Sequence, residues 1–258
     1  MREGPATNAP SHRSPARPIS RAAVAVGILA LAVLIAAAMS GLGARWGWWH
    51  FRTGFSILRW SVYGGIALSI AALGLAAYTR PGSGHRGLPI AIFALAIGLA
   101  VTIIPLQWQR TARSVPPIHD ITTDVSNPPR FVAIVPLRVD ARNPVEYGGA
   151  QIAAQQQAAY PDIRPLVVDL SPTAAFERAL RAAEEKGWTI AAAVPEEGRI
   201  EATDRTFWFG FRDDVVVRLT ELDPNRTVID VRSLSRVGGS DVGTNARRVR
   251  AYLRRIRR

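Results

Sequence analysis

The chain has 258 residues, no cysteine, a formal charge of +12 and a mean hydropathy of +0.08 with 20% of its residues charged. The lack of cysteine excludes disulfides, thiol catalysis, Cys-ligated metal and lipoprotein acylation, and it is compatible with either side of a membrane. Positive charge concentrated around apolar runs points to a membrane rather than to nucleic acid.

That average hides two populations. Residues 1–109 carry nine Arg against the single acid Glu3, a balance of +8, whereas residues 110–258 carry 23 Lys+Arg against 19 Asp+Glu, a balance of +4. Lys186 is the only lysine among the 32 basic residues, which together with the many Ala fits a GC-rich bacterial coding bias.

Residues 1–21 are rich in Pro, Ser, Ala and Arg without apolar periodicity, and they are expected to form a disordered basic tail. A three-helix membrane anchor is expected over 22–109. Its first span, 22–44, is uncharged and long enough for a hydrocarbon core of about 30 Å. It also exceeds the ~7–15-residue apolar region of a cleaved signal peptide. Trp46, Trp48, Trp49 and Phe51 beside Arg45 and Arg52 mark the headgroup level. The second span is read at 60–79, where Gly64, Gly65 and Gly74 are candidates for close helix approach. The third is read at 88–108, with Pro105 in its last turn. The tail and second loop carry six Arg against five around the first loop and after the third span. This favours a cytoplasmic N-terminus and an extracytoplasmic C-terminal domain. The span cores hold no charge, which suits an anchor better than a transporter.

Residues 110–131, with two Pro pairs, read as an extended lead-in to a domain over 132–258. Helical patterns cover 149–160 and the run after Ser171-Pro172, which has N-cap chemistry. Alternation then predicts strands over 188–194, 199–203, 207–219 and 228–233. In the third of these, Phe207, Phe209 and Phe211 are expected on one face. A final helix follows, capped by Asp241 or Thr244, with Ala246, Val249, Leu253 and Ile256 inward. The expected fold class is α+β: three N-terminal transmembrane helices, then an antiparallel sheet packed by two or three helices.

The stretch Glu201–Asn245 is dense in polar residues. His119, Asp120, Asp124, Asp213, Asp214 and Asp241 could converge, but no calcium-loop or zinc spacing exists, so neither metal nor cofactor is expected. Glycines in Arg236–Arg248 precede a helix N-terminus, yet fit neither the Walker nor the dinucleotide pattern. Ser240 lies in no nucleophile elbow. Arg218, Asp230, Arg232 and Arg236 share one strand parity, consistent with cross-strand ion pairs or with a groove presenting Arg to an anion. The ligand-binding candidates are therefore Arg212, Asp213, Asp214, Arg232, Arg236, Ser240 and Asp241. On the last helix, Arg247, Arg248, Arg250, Arg254 and Arg255 are candidates for electrostatic contact with anionic lipid.

The segments "HDITTD…NPPRF" (119–131), "YPDIRPL" (160–166), "ATDRTFWFGFRDDVVVR" (202–218) and "DVRSLSRVGGSDVGTNARRVRAYL" (230–253) together resemble the bacterial domain of unknown function 1499 family in its membrane-anchored form. That resemblance implies no catalytic residues. Residues 175–203 are also loosely similar in topology to helix-grip modules of envelope assembly lipoproteins. The expectation is a multi-pass protein of the bacterial inner membrane. Its domain would be a non-enzymatic cell-envelope module binding a protein or anionic lipid partner, with nucleic acid not expected. An envelope enzyme or binding protein for a small anionic ligand is the alternative.

Overall fold

The computed structural model describes residues 18–258. Most of the expected basic tail lies outside them. Three helices are long and apolar enough to cross a membrane: α1 (Arg21–Arg45), α2 (Phe51–Tyr78) and α3 (Leu88–Ser114). Two of them outrun their apolar spans. α2 starts at Phe51, because Arg52 and Arg59 interrupt hydrophobicity without interrupting a helix. α3 runs on through Gln107, Arg110 and Arg113 to Ser114, which places Pro105 well inside it. Proline there removes one backbone hydrogen bond, a loss that membrane helices tolerate.

The chain divides into two compact units, one of Ile57–Ile103 with the chain up to Ala38, the other of Met39–Ser56 with Ile104–Arg258. In the first, small residues let the helices meet. Ala30, Ala72 and Ala94 are fully buried. A Cβ on Gly65 would lie 2.9 Å from the Gly98 carbonyl, so α2 and α3 approach there backbone to backbone. Gly74 faces open space and serves no packing role.

The second unit contains an antiparallel sheet with helices, an α+β architecture. β1 (Asp120–Thr122) and β2 (Leu166–Val168) precede the meander β3 (Thr189–Val194), β4 (Arg199–Arg205), β5 (Arg212–Asp223) and β6 (Arg226–Ser235). The order is β1-β6-β5-β4-β3, with β2 also pairing β6. β1 lies against 232–234 of β6 and β2 against 227–229, end to end along one edge. Neither three-residue strand is long enough to show a period in the sequence.

Phe207–Phe211 is not strand. The segment is the connection between β4 and β5, closed by bonds from Thr206 N–H to Phe211 O and from Gly210 N–H to Thr206 O. Gly210 has φ +68°, a conformation that leaves the strand region.

Helices α4 (Gly149–Ala159), α5 (Pro172–Glu185) and α6 (Thr244–Ile256) complete the domain. α5 begins as expected, with Ser171 Oγ accepting the Ala174 amide at 3.4 Å. The main core lies between one sheet face and α5 and α6: Val215, Val217, Ile229 and Val231 meet Phe176, Ala179, Val249 and Ile256. Trp188 stacks on Tyr252 at 4.8 Å, and the Tyr252 hydroxyl donates to Ala179 O at 2.7 Å, joining α6 to α5. α4 closes an edge differently. The Gln156 amide donates to Thr122 O at 2.7 Å and accepts Thr122 N–H at 2.9 Å, so one side chain satisfies the free edge of β1 as a strand would.

Candidate functional site

Strand parity sends side chains to two faces. Val215, Val217, Ile229 and Val231 line the helix side, so Glu201, Thr203, Asp214, Arg218, Asp230, Arg232 and Arg236 line the other. That second face is not open. Residues 123–147 cross it as a strap, with Phe131 and Ile134 packing on Val216 and Leu234.

Charge holds the strap down. The Arg232 guanidinium forks onto Asp120 at 2.9 and 2.7 Å and donates to Val145 O at 2.7 Å. The rings of Phe131 and Tyr147 lie 5.1 and 5.6 Å from it. Burial raises the Asp120 carboxyl above the ordinary carboxylate value, and the Arg232 fork opposes the rise. Asp214, with no exposure, receives Arg138 from the strap, Arg236 at 2.8 Å and the Thr203 hydroxyl at 2.8 Å. Burial lowers the Arg138 pKa, and Asp214 counters this.

Glu201 is fully buried and accepts the backbone amides of Val132, Ala133 and Ile134 at 3.0, 3.0 and 2.9 Å, with Arg199 beside it. Successive amides of this kind form an anion-binding concavity, and here the chain fills it with its own carboxylate. At the far end Arg218 bridges Asp230 at 2.8 Å and Asp124 at 3.0 Å. The cross-strand pairing of Arg218 with Asp230 is as the turn at Asp223–Arg226 dictates.

A second polar cluster lies at one end of the helix side. Arg248, 3% exposed, joins Asp204 and Asp213, each at 2.6 Å. Burial works against its charge, but the two carboxylates outweigh it and hold its pKa above the ordinary arginine value. Asn245 receives the Ser233 hydroxyl at 2.8 Å and donates to His119 O at 2.9 Å.

The family model for the protein of unknown function DUF1499 matches residues 120–256. The chain belongs to this family. The match opens on the first residue of β1 and closes on the last of α6. No curated protein matches the chain.

Within the DUF1499 domain the sequence candidates do not converge. Asp213 and Asp214 are neighbours on β5, but they face opposite sides of the sheet, toward Arg248 and toward Arg138 and Arg236. Alternation therefore keeps Asp213 and Asp214 from converging together on His119, Asp120, Asp124 and Asp241. Among the described residues no group of three or more His, Asp or Glu is placed to hold a metal ion. Only Asp214 and Arg236 are brought together. Arg232 pairs with Asp120 instead, Ser240 Oγ accepts Val242 N–H at 3.2 Å, and Arg212 is exposed at the start of β5. Asp241 accepts Gly243 and Asn245 N–H, each at 2.7 Å, capping α6 by its side chain although Gly243 occupies the cap position. Burial raises its pKa against those amides.

The α6 arginines separate too. Arg248 is internal. Arg250 forks onto Asp162 at 2.6 Å, Arg255 pairs with Glu185, and Arg247 donates to Val242 O at 3.1 Å. Arg254 is exposed and has no ion pair among the described residues.

Periodicity missed one more feature of the DUF1499 domain, the β4–β5 connection. Phe209 and Phe211 stack at 5.6 Å, and Phe55 lies 4.7 Å from Phe209. Trp208 meets Trp108 at 5.2 Å and lies over Gly41, where a Cβ would be 2.5 Å from its ring. Arg45 donates to Thr206 O at 2.8 Å and Phe207 O at 3.0 Å, and Arg205 donates back to Arg45 O. The ends of these long apolar helices and the family domain thus share one aromatic collar. An unusual density of aromatics in "FWFGF", read as a strand, was its sequence signal.

Proposed function

We propose that this chain is a membrane-anchored, non-enzymatic module of the bacterial cell envelope whose domain binds a protein or lipid partner. The observation that carries this reading is the closure of the polar face. Glu201, Asp214, Asp230 and Arg232, the groups a catalytic groove would use, are at most 4% exposed and are paired with the strap or with each other. Charges satisfied in this way position a segment of chain and leave little for a substrate. Three helices that can cross a membrane supply the anchor. The Arg balance favours the domain lying outside the cytoplasm.

A second reading, a site for a small anionic ligand or substrate, has one feature in its favour. An open groove of about 400 Å³ lies between Asp124–Ser126 and Tyr160–Pro165, with Arg164 on its wall.

Thermal unfolding of Asp214→Asn and Arg236→Gln separates the two. Under the module reading both variants lower the midpoint, Asp214→Asn because it strands Arg138 and Arg236, and Arg236→Gln because it takes one partner from a buried carboxylate. Unchanged midpoints would leave these groups free for a ligand and favour the second reading. A reporter active only outside the cytoplasm, fused at the C-terminus, is expected to be active. Activity of a cytoplasmic reporter alone overturns the envelope placement.

A further inference from the structure

The buried carboxylates of the domain, Asp120, Glu201, Asp213, Asp214 and Asp230, are each matched to an arginine, but one pair of arginines has no acid beside it among the described residues. Arg205 and Arg212 stand directly opposite each other across β4 and β5. Like charges in that position repel. Neither has an ion pair among the described residues, and the nearest acids in sequence, Asp204 and Asp213, point to the other face and are held by Arg248. Arg45 joins them: Arg205 donates to its backbone carbonyl, and the Arg45 guanidinium donates to Thr206 O and Phe207 O, the carbonyls that follow Arg205. Burial, with the positive charge of Arg45 and Arg212, lowers the Arg205 pKa.

The surroundings of this cluster set its depth. Arg45 is the last residue of α1, a helix long and apolar enough to cross a membrane. Trp46 and Trp48 follow at 54% and 64% exposure, and Phe207 is 83% exposed with the Arg45 guanidinium 5.9 Å from its ring. Exposed indole and phenyl rings at the end of such a helix belong at the headgroup layer. Lipid phosphates lie at that depth, and guanidinium groups bind phosphate in forked, charge-assisted pairs. The exposed rings would sit among the acyl chains and glycerol groups while the arginines face the phosphate.

We infer that Arg45, Arg205 and Arg212 form a phosphate site at the bilayer surface, occupied by the headgroup phosphate of an acidic phospholipid. This rests on the reading of the chain as membrane-anchored. It narrows the lipid partner to a defined place and assigns the cluster, rather than the α6 arginines, to lipid recognition. An occupied site also removes the repulsion between Arg205 and Arg212, so bound lipid stiffens the β4–β5 connection.

The test uses the full chain in neutral detergent or phosphatidylcholine nanodiscs, titrated with phosphatidylglycerol, phosphatidylcholine or inorganic phosphate. Binding is read from the tryptophan emission of the collar and by native mass spectrometry. Phosphatidylglycerol is expected to bind in preference to phosphatidylcholine. The exposed double variant Arg205→Gln/Arg212→Gln should bind it about tenfold or more weakly at low salt. Arg254→Gln/Arg257→Gln on the last helix should bind as the parent does. Saturation by millimolar inorganic phosphate, with no preference for phosphatidylglycerol, would assign the same cluster to soluble phosphate and overturn the lipid assignment. Equal phosphatidylglycerol binding by parent and Arg205/Arg212 variant overturns the site altogether. Resistance of the chain to alkaline extraction from membranes is measured in parallel. Loss of that resistance in the parent would refute the anchor, whereas retained insertion with no lipid preference refutes only this site.

Discussion

The Glu201 carboxylate accepts the Ile134 backbone amide at 2.9 Å, reaching from the fully buried middle of β4 to the strap that crosses the sheet. The Val132 and Ala133 amides and Arg199 converge on the same group. Removing it would leave three amides without their acceptor and Arg199 with Glu197 as its one remaining carboxylate. Glu201→Ala is expected to cost about 2–4 kcal/mol. Hydrogen exchange at residues 132–134 should accelerate in that variant, and unchanged protection there would show that the strap is held by other contacts.

Arg232→Ala removes the partner of Asp120 and a cation between two aromatic rings. A buried ion pair broken from one side costs about 3–5 kcal/mol. Arg232→Met combined with Asp120→Leu should cost less than the sum of the single changes, since no charge remains stranded. Denaturant titration of the four proteins gives the coupling energy. A value near zero would mean that the pair does not act as a unit.

Tyr147 gives an alkaline signature. Burial, with Asp120 adding to it, pushes its phenol up to about 12, whereas an exposed tyrosine ionises near 10. The unfolded chain therefore loses the proton first as pH rises. Stability on this account is full below about pH 10 and is lost as pH climbs through about 12. Tyr147→Phe should flatten part of the fall in unfolding midpoint between pH 9.5 and 11.5, while Tyr252, also raised by burial, continues to contribute. Superimposable pH profiles would show that Tyr147 ionises without cost in the fold.

Gly41 is needed for the collar. A Cβ there would stand 2.5 Å from the Trp208 ring, too close to coexist with it. Gly41→Ala should displace the β4–β5 connection at a cost of about 1–3 kcal/mol. The expected readouts are a red-shifted tryptophan emission and new protease sensitivity within residues 206–211. An unaltered spectrum would place Trp208 elsewhere in solution.

Much of the fold was legible from patterns that are local by nature. Uncharged runs of about 20 residues force helices, because lipid offers no partners for backbone groups. Strand alternation assigned Val215, Val217, Ile229 and Val231 to one face. Ser171-Pro172 marked the start of α5. β1 and β2 escaped because three residues carry no period, and they exist only because β6 offers them an edge. The "FWFGF" run misled because alternation of aromatics describes a strand equally well when the rings are gripping helix ends.

The candidate site divides in the same way. Residue types and strand parity singled out Arg232, Arg236 and Asp214, and parity also separates Asp213 from Asp214. Their partners could not be read from the sequence. Asp120 lies 112 residues from Arg232, and Arg138 lies 76 from Asp214. By itself the sequence determined that there are three helices long and apolar enough to cross a membrane, an antiparallel α+β domain and a family, because hydropathy and periodicity act over a few turns of chain. Only the tertiary structure decided which charges are neutralised and which are left facing outward. Ion pairing depends on distances of a few ångströms between segments that nothing in their local sequence brings together.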